Sequence, residues 1–265
     1  MPTFTKNNLI TLHNRIVKFT DENLQKIEKL EVDLNEEYDS FFLGMIIRQH
    51  TLNNDFSILF GSDTSSNLTS KNILYRCLID DFIQIIYISN EEDNYEMVTK
   101  LNADSIKKNF NKLMDLAELN EKNLGGNYPF YPTYEVMEGV KQKIIDSPKR
   151  EQYFTDKANF KFKSFKATGN IIRELKDDDN HLHQLRRAYF IWRKYSDSVH
   201  YSNLTFEEEQ AIDPEKDSTY TEYAEIISYS YLTTLECLKH FEEKYDFDIT
   251  DTNNLAGYYK DSVHQ

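Results

Sequence analysis

The chain has 265 residues, with 31 Lys and Arg against 45 Asp and Glu and a formal net charge of −14. Only 7 Gly and 5 Pro leave too little turn chemistry for an all-β sandwich or a collagen-like rod, and 39% apolar with 14% aromatic residues exclude a disordered chain. The acidic balance argues against a protein that binds nucleic acid over its whole surface.

Helical periodicity runs through nearly the whole chain. Thr5 can cap a first helix that runs to about residue 30 and carries Leu9, Leu12, Ile16 and Phe19 on one face. A second helix, about 35–61, places Phe42, Met45, Ile46, Leu52, Phe56 and Leu59 inward and stops at Gly61. A third, 71–88, is the most apolar, with Ile73, Leu74, Cys77, Leu78, Phe82, Ile85 and Ile86 as its core face.

The fourth helix, about 92–119, is more polar and buries Leu101, Ile106, Phe110, Leu113, Leu116 and Ala117. The stretch EKNLGGNYPFYPT then reads as a loop and a candidate hinge. A shorter helix follows over 134–145, ended by Ser147 and Pro148. FKFKSF, 160–165, is the one strand-like alternation. Helices resume over 167–175, 180–200 and 218–245, and the polar residues 246–265 form a frayed tail. The predicted fold is an all-α multi-helix bundle of about eight or nine helices, in one domain over 1–245.

No apolar run approaches the roughly 20 residues that a membrane span needs, and the first ten residues carry no secretory pattern. The expectation is a soluble cytoplasmic protein. Cys77 and Cys237 are too far apart in sequence for a zinc spacing and read as small core residues.

Charge is uneven. Residues 141–200 hold 14 basic and 8 acidic side chains, so an acidic chain contains one basic segment. Tyr153, Phe154, Phe160, Phe162, Phe165, Tyr189 and Trp192 interleave with those bases. That mixture suits phosphate contact with base stacking. It equally suits a helix pair facing an acidic surface within the fold.

Two helices carry the chemistry. Tyr189, Arg193, Ser196 and His200 recur at helical spacing and share a face. Arg offers a fork of donors to phosphate, and His exchanges a proton near neutral pH. In the third helix Arg76, Asp80 and Gln84 form one polar stripe on an otherwise apolar rod. That stripe is either an anchor between helices or the wall of a polar pocket. The tract Asp177-Asp178-Asp179-Asn180-His181-Leu182-His183 is not read as a metal site, because His-x-His on a helix sends its two rings apart. No dinucleotide, Walker or zincin motif is present, and no metal or cofactor is expected.

The stretches NILYRCLIDDFIQIIYI and YFIWRKYSDSVHYS together resemble a broad group of all-helical bacterial proteins. That group pairs an Arg-x3-Glu/Asp helix with a later Tyr/Leu-Ser-x3-His helix. The second stretch also resembles the HEPN superfamily signature, reading here as Arg193, six residues, His200. The resemblance implies a helical bundle, commonly a homodimer. It further implies a metal-independent endoribonuclease of toxin–antitoxin or phage-defence systems, with RNA and an antitoxin or defence protein as partners and neither DNA nor membrane. On that footing His200 transfers the proton and Arg193 stabilises the phosphorane. Tyr189 and Ser196 orient the phosphate, and Arg76 and Asp80 line the same pocket. The alternatives are a non-catalytic sensor or scaffold, and a nucleotide- or anion-binding helical protein.

Overall fold

α1 (Lys6–Ile27) begins where Thr5 and Asn8 cap each other. The Asn8 amide N–H donates to Thr5 Oγ1 at 3.3 Å, and the Thr5 N–H donates to Asn8 Oδ1 at 2.9 Å. Leu9, Leu12, Ile16 and Phe19 are buried on its inner face. α2 (Glu37–Gly61) buries Phe42, Met45, Ile46, Leu52 and Phe56, with Phe60 rather than Leu59 completing the stripe. A computed structural model describes residues 4–61, 68–197 and 217–255.

α3 (Leu68–Asn90) is buried on most of its circumference. Tyr75, Leu78, Ile79, Phe82, Ile83, Ile85, Ile86, Tyr87 and Ile88 are all covered, while Ile73 is on the outside. A helix apolar nearly all round is stable in water only as a central element. Accordingly α2, α6 (Thr168–Arg173), α7 (Leu182–Asp197) and α8 (Asp217–Lys244) all pack on it.

By its internal contacts the chain divides into two compact units, Met1–Asn90 with Thr168–Gln265, and Glu91–Ala167. The sequence reading takes 1–245 as one domain. Periodicity shows that a helix has an inner face but not which helices share a core. The second unit contains α4 (Asn94–Asn123), α5 (Tyr134–Asp146), a 3-10 helix (Pro148–Tyr153) and strands β1 (Phe154–Asp156) and β2 (Lys161–Phe162). The strands pair antiparallel, Phe154 opposite Phe162, so the FKFKSF alternation is one side of a small hairpin. Ala103, Ile144, Tyr153 and Phe162 form this unit's own core.

The loop after α4 is braced rather than open. Gly125 and Gly126 take positive φ of 68° and 73°. The Asn120 amide reaches across to donate to the Tyr131 and Pro132 carbonyls and to accept from the Tyr128 N–H.

The expected frayed tail is packed as far as Leu255. Phe247 and Leu255 are buried, and the Asn23 side chain on α1 both donates to and accepts from the Thr250 backbone. Two apolar anchors in a polar stretch are enough to hold it down. Asp39, fully buried near the start of α2, accepts from His240 Nε2 at 2.6 Å, Lys244 Nζ at 2.8 Å and the Tyr245 hydroxyl at 2.5 Å. That carboxylate ties the first turn of α2 to the last turns of α8.

Candidate functional site

α7 packs through Leu185, Ala188, Ile191 and Tyr195, which recur at intervals of three or four and are all buried. Trp192 lies on the border of that face and reaches α3. Its indole N–H donates to Asp80 Oδ1 at 2.5 Å. The Arg76 guanidinium lies over the Trp192 ring, 5.1 Å from its centroid, a cation–π placement. Arg76 Nε donates to Ser196 Oγ at 3.0 Å, and Ser196 Oγ donates back to the Trp192 carbonyl at 2.7 Å. Arg76 Nη1 is 3.8 Å from Asp80 Oδ2. Four side chains therefore close a cluster between α3 and α7.

Tyr189 joins it indirectly. Its ring stacks on Trp192 with centroids 5.8 Å apart. Its hydroxyl lies 3.2 Å from where a Cβ on Gly169 of α6 would sit, a closeness that only glycine permits without a shift. Burial raises the Asp80 carboxyl above its ordinary value, against the opposing pull of Arg76 and the Trp192 hydrogen bond.

The expected shared face of Tyr189, Arg193, Ser196 and His200 divides. Tyr189 and Ser196 are half-buried towards the cluster, whereas Arg193 is exposed and is not part of it. At 3.6 residues per turn Arg193 sits roughly 60° round the helix from Ser196, enough to cross the border of the buried face. Arg76 thus meets both Asp80 and Ser196 on the covered side of α7, and Arg193 is not among their partners. His200 lies outside the described residues.

Two features were missed from sequence. One is the exposed stripe of α7, where His183, Arg186, Phe190 and Arg193 recur at spacings of 3, 4 and 3. Phe190 is 68% exposed, the most open aromatic of the basic segment among the described residues whose exposure is given. The spacing is visible in the sequence, but a stripe of His, Arg and Phe has no helical signature that separates it from the adjoining Tyr189 and Trp192 face. Of the aromatics expected to stack bases, Tyr153 and Phe162 are core residues of the second unit.

The other is a buried hydrogen-bond chain that ends on Asp81. The Tyr75 hydroxyl lies 3.2 Å from His13 Nε2, and His13 Nδ1 lies 2.8 Å from Asn53 Oδ1. Because Nδ1 faces an oxygen acceptor, it carries the proton, and Nε2 accepts from Tyr75. Asn53 Nδ2 donates to Ser230 Oγ, Ser230 Oγ to Gln49 Oε1, and Gln49 Nε2 to Asp81 Oδ2. Every donor points the same way and the chain ends on a carboxylate, which Arg48 Nε also meets at 2.8 Å. Burial pushes Asp81 up to about 6 despite Arg48, and pushes His13 down to about 3. No sequence spacing links His13, Asn53 and Ser230, so only the fold could reveal them.

The basic segment is also redistributed. Of its 14 basic residues, 8 fall in 141–167, where only 3 acidic residues oppose them; 168–200 carries 6 against 5. On α7, Lys194 pairs with Glu222 at 2.7 Å and Arg187 with Glu225 at 3.2 Å, both on α8. Part of the positive charge therefore answers an acidic helix within the fold. Cys77 and Cys237 are free, and burial raises both thiols. Among the described residues no cluster of His, Cys, Asp and Glu is placed to hold a metal ion, and no helix is long and apolar enough to cross a membrane. No family model, curated protein or solved structure matches the chain.

Proposed function

We propose that this chain is an RNA-directed protein of HEPN-like type, a metal-independent endoribonuclease that engages RNA along the exposed side of α7. One observation carries the reading. Arg193 is exposed and has no hydrogen-bond or ion-pair partner among the described residues, whereas Arg76, Arg186 and Arg187 on the same two helices are engaged. An unengaged guanidinium three residues from an exposed phenyl ring offers a phosphate fork beside a stacking platform. Under this reading Arg193 stabilises negative charge on the attacked phosphate. His200 moves the proton as the ribose 2′-hydroxyl attacks phosphorus and the 5′-oxygen leaves, giving cyclic-phosphate and 5′-hydroxyl ends. Arg76, Asp80, Trp192 and Ser196 are positioning residues that hold α7 in register on α3. Following the same resemblance, the proposal includes a homodimer and an antitoxin or defence partner.

The test is cleavage of labelled RNA in the presence of chelator, with analysis of the ends. Cyclic-phosphate ends with the native chain, and their loss in His200→Ala and Arg193→Ala at unchanged melting temperature, support the ribonuclease. Wild type and variants equally inert and equally weak on RNA overturn it. The second reading, a non-catalytic helical module, is favoured by the mutual satisfaction of Arg76, Asp80 and Ser196. It is supported if RNA is neither bound nor cut and Asp80→Asn simply melts lower.

A further inference from the structure

In the second unit, α4 and α5 lie side by side without closing completely. Ile106, Phe110 and Leu113 of α4 are only half-buried, and with Val140 and Ile144 of α5 they wall a cavity of about 270 Å³. Its polar lining is Asn109, Lys143 and Arg150. Those two cations meet no acidic group among the described residues. Others nearby do: Lys141 pairs with Glu138 at 3.4 Å and Lys163 with Glu96 at 2.7 Å. Arg150 stands on the 3-10 helix, which begins at Pro148 and ends on the buried Tyr153.

We propose that this cavity binds a compact carboxylate with an apolar body, its hydrocarbon against Ile106, Phe110, Leu113 and Val140 and its carboxylate on Arg150 and Lys143. Apolar walls with a few convergent polar groups are the usual make-up of a small-molecule site. An apolar wall alone would accept any hydrocarbon. Two cations without acidic partners select an anion, and the Arg fork matches a carboxylate in two places. The concentration of 8 basic residues against 3 acidic in 141–167 favours the same sign of ligand. The proposal is independent of the RNA reading, because every residue in it belongs to the second unit.

The experiment titrates the full chain with octanoate, octanol and octylammonium, using calorimetry and methyl NMR of Ile106, Leu113, Val140 and Ile144. Octanoate should bind about tenfold more tightly than octanol, and octylammonium least. Arg150→Gln should bring octanoate down to the octanol level while leaving octanol unchanged. Leu113→Trp should abolish both by filling the cavity. Arg150→Gln keeps a long polar side chain at a half-buried position outside the unit's core, so it remains informative even where Leu113→Trp fails to fold. Equal binding of the three probes, shifts confined to other methyls, or an unchanged octanoate affinity in Arg150→Gln would overturn the proposal. So would self-association of the chain that Leu113→Trp abolishes and octanoate does not compete, since a second copy would then be the occupant.

Discussion

The Trp192 indole N–H donates to the Asp80 carboxylate at 2.5 Å across the contact between α3 and α7. This bond joins the two helices that carry the recognised motifs, and it makes Asp80 a partner of Trp192 as much as of Arg76. Replacing Trp192 by Phe keeps most of the packing but leaves a largely covered carboxylate with Arg76 as its remaining partner. The expected loss is about 1–3 kcal/mol of unfolding free energy by urea denaturation. Arg193→Ala, on the exposed side of the same helix, should change stability by no more than about 0.5 kcal/mol. Similar losses for the two variants would show that the cluster does not hold α7 in place.

Asp81 and His13 should oppose each other in acid. His13 is held neutral, down from 6.5 to about 3, so its contribution is fully present above pH 6.5 and is lost as pH falls. Asp81 is raised from 3.8 to about 6, so the folded state holds its proton more tightly and stability rises as pH falls through that window. Between 3.8 and 6 the two slopes cancel, each about 1.4 kcal/mol per pH unit. Asp81→Asn should therefore steepen the acid loss by about that slope within the window. Stability curves of variant and wild type that run parallel from pH 6 to 4 would contradict the assignment.

The Asp39 clamp titrates the other way. Burial alone would raise its carboxyl, but hydrogen bonds from Lys244, Tyr245 and His240 outweigh that and hold it below its ordinary 3.8. Its contribution is thus present above pH 3.8 and lost as pH falls through the lowered value. Asp39→Ala at neutral pH should cost about 1–3 kcal/mol, because it leaves the buried His240 Nε2 without its acceptor, while the half-exposed Lys244 keeps Glu36. Hydrogen exchange should report the loss at the start of α2 and the end of α8 together. A loss confined to one of those ends would show that the clamp does not couple them.

RNA affinity gives a fourth expectation, resting on the proposed function. Each phosphate contact removed should lower the slope of log affinity against log salt by about 0.7 on single strands. Arg193→Ala should show that change, and Phe190→Ala should weaken binding without changing the slope. Lys194→Ala should change neither, since Lys194 is paired with Glu222. Equal slopes for Arg193→Ala and wild type would remove Arg193 from the phosphate contacts.

Much of the secondary structure was legible because its signals are local. Thr5 and Asn8 cap α1 within one turn, and Leu9, Leu12, Ile16 and Phe19 mark its buried side. The same logic found α3 and its polar stripe of Arg76, Asp80 and Gln84, spaced four apart, without any tertiary knowledge. It failed by one position at Leu59 against Phe60, because spacing from Phe56 allows either i+3 or i+4 inward and the packing on Tyr75 and Tyr223 selects Phe60. It failed at the tail because Phe247 and Leu255 are isolated anchors, invisible to a periodicity argument.

Sequence alone determined that this chain is helical, where most helices begin, and which two helices hold an unusual density of polar groups. Helix period and capping act over a few residues, so they survive without knowledge of the fold. Tertiary structure alone decided what those polar groups do. Packing α7 on α3 turned Trp192 and Ser196 towards Arg76 and Asp80 and left Arg193 facing outward, although all lie within one short stretch. It also drew His13, Asn53, Gln49, Ser230 and Asp81 from four helices into one hydrogen-bond chain. The net charge of −14 likewise acquired a location. The second unit holds 13 basic and 13 acidic residues, so the whole deficit belongs to the unit that carries Arg193. A local phosphate contact on that unit must therefore act against its overall field, which makes the exposed Arg193, without an ion-pair partner among the described residues, the residue on which the RNA reading stands.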